Sequence, residues 1–124
     1  MLGNALYFGA TDGIHGMELW KTDGTTSGTV MVKDISNGSS NSSPTDLEVV
    51  GNSLFFSAAN NALGYELWKS DGTTSGTVLV KDINNGTTSG MQLTHRSMAV
   101  GDILYFVGDD GTNGKELWKS DGTA

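Results

Sequence analysis

Residues 18–38 recur as residues 66–86 with 18 of 21 positions identical, the differences being Thr22/Ser70, Met31/Leu79 and Ser36/Asn84. A third, shorter copy runs from Glu116 to Thr123 as Glu-Leu-Trp-Lys-Ser-Asp-Gly-Thr. An internal period constrains the fold before any single side chain does. Each repeat is one supersecondary unit that must bury its apolar face against a neighbour. Aligned on Trp20, Trp68 and Trp118, the copies lie 48 and then 50 residues apart, and the triplets Leu6-Tyr7-Phe8, Leu54-Phe55-Phe56 and Leu104-Tyr105-Phe106 keep both spacings. Two extra residues therefore fall between Ile83 and Leu104, in the loop 84–90 or just after it, where exposed backbone tolerates insertion.

Each repeat reads as four short strands. The first spans 5–10, with equivalents at 53–58 and 103–107, and is rich in Leu, Phe and Tyr. The second carries Glu-Leu-Trp-Lys. A turn containing Asp23-Gly24, repeated as Asp71-Gly72 and Asp121-Gly122, leads into the third strand, 29–35. There, alternation sends Val30, Val32 and Asp34 to one face and Met31, Lys33 and Ile35 to the other. A Ser/Asn/Gly-rich loop, 36–44, precedes a weaker fourth strand at 47–50 and again at 97–100. Short strands joined by Gly, Asp and Asn turns, with no helical periodicity over ten residues, predict an all-β protein.

Four strands in about 40–50 residues is the pattern of a β-propeller blade. The chain holds about two and a half repeats, at 3–50, 51–100 and, in part, 101–124, in a single array. Cut as 1-2-3-4 per blade, two chains joined end to end do not give a seamless ring. Cut as 4-1-2-3 with the fourth strand innermost, each chain becomes 1-2-3, 4-1-2-3, 4-1-2, and two chains give six blades. A propeller closes with four to eight blades, so the chain is expected either to be part of a longer array or to homo-oligomerise, a dimer being the simplest case.

Composition narrows the partners. The net charge of −7 and a single arginine leave no basic stripe to neutralise phosphates, so nucleic acid and anionic membrane surfaces are not expected partners. No cysteine is present, which removes disulfides, thiolate metal sites and a cysteine nucleophile. No apolar run approaches the length of a membrane span, and no charged-then-apolar leader opens the chain as written.

Glu-Leu-Trp-Lys-Ser-Asp-Gly-Thr followed by Gly-Thr-Val-Leu-Val-Lys-Asp-Ile resembles the ELWxxDGT repeat of large, usually exported bacterial proteins. Gly-Asn-Ser-Leu-Phe-Phe-Ser-Ala and Gly-Asp-Ile-Leu-Tyr-Phe-Val also resemble the start of that repeat, so the likeness covers essentially the whole chain. It departs at 59–63, where the other copies have Asp-Gly, and at 91–98, where Ser97 stands in place of a leucine. The resemblance implies a propeller-like fold and an extracellular or cell-surface setting, and it brings no catalytic residues.

Three groups of residues are candidates for function. Trp20, Trp68 and Trp118 suit stacking on a sugar ring, but a tryptophan of this size more commonly packs between blades. Glu18, on the same face as Trp20, would then require a partner, for which Lys33 or, in the second copy, Lys81 is the candidate. Asp12, Asp109 and Asp110, with Glu18 and Glu116, offer oxygen ligands of the kind calcium takes, although they lack the spacing of a twelve-residue calcium loop and the middle copy has Asn60-Asn61 instead. The Asp-Gly pairs are explained by turn chemistry without a ligand.

The two histidines, His15 and His95, are not at equivalent repeat positions. No nucleophile elbow, zinc helix or phosphate loop occurs, so neither an enzyme nor a cofactor is expected. The repeated motif Glu18, Trp20, Asp23, Gly24 (with Glu66, Trp68, Asp71, Gly72 and Glu116, Trp118, Asp121, Gly122) reads as structural. The expected function is a non-catalytic module for display or protein interaction. A lectin-like propeller with one weak glycan site per blade, or a calcium-stabilised adhesion module, are the alternatives.

Overall fold

The computed structural model describes residues 2–91 and 96–124. Ten strands follow in order: β1 (Leu6–Ala10), β2 (Glu18–Thr22), β3 (Val30–Lys33), β4 (Thr45–Val50), β5 (Ser53–Ala58), β6 (Glu66–Ser70), β7 (Val78–Lys81), β8 (Met98–Val100), β9 (Ile103–Asp109) and β10 (Lys115–Ser120). All pairing between them is antiparallel. No helix of the described residues is long and apolar enough to cross a membrane.

The strands form three sheets, ordered β1-β2-β3, β4-β5-β6-β7 and β8-β9-β10. The last strand of each repeat therefore pairs with the first strand of the next repeat, and sheet boundaries do not coincide with repeat boundaries. Of the two phases the sequence allows, this is the one with the fourth strand leading each sheet. Among the described residues, the first sheet has only the Leu2–Ala5 bridge at that place, and no third-type strand pairs with β10.

Registers explain why the repeated triplets matter. Phe8 faces Trp20, Phe56 faces Trp68 and Phe106 faces Trp118 across their hairpins. Leu6 and Thr22 share that face, while Tyr7, Lys21 and Leu19 point to the opposite one. Every sheet thus has a tryptophan face and a lysine face, set by period-2 alternation. The core lies between sheets. Leu19, Val32 and Ile35 of the first sheet meet Leu54, Phe56 and Trp68 of the second. Phe55, Leu67, Val80 and Ile83 of the second meet Leu104, Phe106 and Trp118 of the third. These are the same repeat positions used twice.

Loop contacts fix where the two extra residues lie. Ser42 and Ser43 donate their N–H groups to the Met17 carbonyl, as Gly90 and Met91 do to that of Tyr65, so a shift of 48 holds as far as Met91. Val50 faces Ser53 and Val100 faces Ile103, so the shift is 50 from β8 onward. The insertion falls between these points, just after the loop 84–90, in the stretch that includes residues 92–95. His95 lies outside the described residues.

Candidate functional site

The most repeated chemistry is the turn after each tryptophan strand. Asp23, Asp71 and Asp121 each accept the N–H of the second residue on, Thr25, Thr73 or Thr123, at 2.9 Å and its hydroxyl at 2.6 Å. The threonine hydroxyl and then the N–H hold all three carboxyls below the usual aspartate range. The following glycines, Gly24, Gly72 and Gly122, have φ of 93°, 93° and 91°, a left-handed conformation that a side chain resists.

These turns lock one sheet to the one before it. Lys21 donates to the carbonyl oxygen of Gly72 at 2.7 Å, and Lys69 to that of Gly122 at 2.7 Å. The Tyr7 hydroxyl and the tip of Phe55 close over Gly72 and Gly122 respectively. Lys33 donates to the Thr77 carbonyl and Thr74 Oγ1 to the Val32 carbonyl, giving the first interface two further bonds at 2.9 and 2.8 Å.

The repeated glutamate does not pair with lysine as expected. Glu18 is 0% exposed, yet its carboxylate accepts the N–H groups of Ile35 and Ser36 and the hydroxyl of Ser42. Glu66 accepts from Ile83 and Gly90 N–H, both at 2.7 Å. Lys33 is drawn away to the neighbouring sheet, and Lys81 is exposed. The buried acid organises the turn after the third strand, where the backbone leaves the ladder and its N–H donors need acceptors. A Glu seventeen residues before unpaired N–H groups has no short-range sequence signature, which is why the lysine looked like its partner.

Asp12 stands apart from Glu18, at an exposed turn. It accepts the N–H groups of Ile14 and His15 and, through Oδ2, bonds His15 Nδ1 at 2.7 Å. The His15 bond, then the two N–H groups, pull its pKa down to about 2, and the same bond raises that of His15. Asp110 accepts from Thr112 and Asn113 in the same manner, and Asp109 from Gly111. Asn60, at the equivalent position of the middle repeat, accepts from Ala62 and Leu63. All three copies therefore hold the same turn through a side-chain oxygen, and the acid is interchangeable with its amide. No three acidic or histidine side chains among the described residues converge as metal ligands would.

Trp68 is 7% exposed between two sheets, so a sugar ring has no access to its face. Trp118 stacks on Phe106 with ring centroids 6.5 Å apart. Trp20 lies half-buried on the tryptophan face of the first sheet, which no other sheet among the described residues covers.

The two ends of the stack carry the unmatched halves of the repeated interface. Leu6 is 52% exposed, whereas its counterparts Leu54 and Leu104 are 3% and 1%. At the other end Leu117 is 75% exposed, against 0% for Leu19 and 1% for Leu67. Gly24 is exposed where Gly72 and Gly122 are buried, and Lys119 is exposed where Lys21 and Lys69 reach a carbonyl. Set against family models, curated protein sequences and solved structures, the chain gives no match.

Proposed function

We propose that this chain is a non-catalytic β-propeller module of the ELWxxDGT-repeat type, serving structural display or protein interaction at an extracellular or cell-surface site. Copies join head to tail to complete a ring. The observation that carries this reading is the mismatch at the ends. The lysine face of the third sheet offers Tyr105, Leu117 and Lys119, the positions that twice within the chain grip the tryptophan face of a following sheet. The first sheet offers Leu6, Phe8 and the Gly24 carbonyl, the positions that are gripped. Such an interface is heterologous and yields a closed ring if the rotation per sheet divides a full turn.

Two copies supply six sheets, within the range of closed propellers. Light scattering behind a sizing column is the test. A discrete particle at a small multiple of 13.0 kDa is expected, and a folded, monodisperse monomer refutes the ring.

A further inference from the structure

Three asparagines precede a glycine: Asn37, Asn85 and Asn113. In such a pair the glycine nitrogen can attack the asparagine side-chain carbon, Cγ, because glycine has no side chain to obstruct the approach. The fold decides which pair is free to react, by holding either the nitrogen or the side chain.

At Asn37 the nitrogen is held: Gly38 donates its N–H to Asp34 Oδ2 at 3.2 Å. At Asn113 the side chain is held: its Nδ2 donates to Asp110 Oδ2 at 2.8 Å. The five aspartate-glycine pairs are restrained at the nitrogen as well. In each, the glycine N–H goes to a Thr, Ser or Asp side-chain oxygen two residues earlier, as Gly72 does to Ser70 Oγ at 3.0 Å. Asn85-Gly86 has neither restraint. Among the described residues no acceptor takes the Gly86 N–H and no partner holds the Asn85 amide, and both residues are exposed. The space that a Cβ on Gly86 would enter is open to 4 Å.

We propose that Asn85 is a site of spontaneous deamidation. Gly86 N forms a bond to Asn85 Cγ and loses its proton to solvent base, and the side-chain nitrogen leaves as ammonia, which closes a succinimide. Water then opens the ring. Attack at Cγ gives aspartate at 85, and attack at the main-chain carbonyl carbon gives isoaspartate; nothing is oxidised or reduced. Either product adds a negative charge. Isoaspartate also lengthens the main chain by a methylene between Ile83 and Gly90, the two N–H donors that Glu66 holds. The change therefore falls on the turn that this buried acid organises.

The full chain, kept at mildly alkaline pH and body temperature, is sampled over days and cut with trypsin. Cleavage after Lys and Arg puts the three asparagines on separate peptides, residues 34–69, 82–96 and 97–115. Fragmentation mass spectrometry then locates the mass gain of replacing NH2 by OH. Asn85 is expected to convert about fivefold or more faster than Asn37 and Asn113, the scale on which one hydrogen bond restrains a group. In urea the three rates should draw level. Equal or slower conversion of Asn85 in the folded chain overturns the proposal, as does the same ranking in urea, which would make local sequence the cause. Asp34→Ala is expected to speed Asn37 and leave Asn113 unchanged; an unaltered Asn37 rate overturns the account of its protection.

Discussion

At the scale of single residues, Glu66 and the turn aspartates have opposite pH behaviour. Burial raises the Glu66 pKa above the usual carboxylate range, outweighing the N–H groups of Ile83 and Gly90. An acid with a raised folded-state pKa stabilises the fold fully below its unfolded value, and that contribution disappears as pH rises through the folded value. The exposed turn acids Asp12, Asp23, Asp71, Asp110 and Asp121 are lowered by hydrogen bonds donated to them. Their contribution is present above the unfolded value and is lost as pH falls through the folded one, which for Asp12 is about 2. Thermal stability is therefore expected to peak at mildly acidic pH. Glu66→Gln should flatten the alkaline limb and leave the acid limb in place. Melting curves from pH 3 to 8 check this, and an unchanged alkaline limb in the variant contradicts it.

At the scale of elements, strand existence was legible because short runs of Leu, Phe, Tyr and Trp lie between Gly-bearing turns. Strand 53–58 was placed to the residue, while the predicted 29–35 shortened to Val30–Lys33 because the backbone after Lys33 turns to serve Glu18. Only the topology assigns the fourth strand to the following sheet, since hydrophobic pattern says which face is buried and not which partner covers it. The lysine-to-carbonyl locks were also hidden, because a lysine beside a tryptophan reads as ordinary solvated charge. Lys21→Met and Lys69→Met should each cost about 1–2 kcal/mol, as lost charged hydrogen bonds do. Because the locks lie in separate interfaces, the double variant should be additive to within about 0.5 kcal/mol. Denaturant titrations of the four chains measure this, and strong non-additivity would mean that the two interfaces are energetically one.

At the scale of the whole molecule, the open end faces should govern association and leave folding intact. Leu6→Glu and Leu117→Glu place a charge on opposite ends at positions already exposed within one copy. Each is expected to give a folded monomer by light scattering, with a melting temperature within a few degrees of the parent's own dissociated form. A variant that stays assembled shows that this end does not meet a neighbour. The make-up of the sheets has a mechanical corollary. Each sheet is built from consecutive strands, and β4 and β8 pair only with β5 and β9, so neighbouring sheets share no strand and are joined covalently by one connection each. Pulling on the two ends loads the three sheets in series. The array should therefore yield stepwise, one sheet at a time, with the side-chain locks between sheets adding to the first rupture.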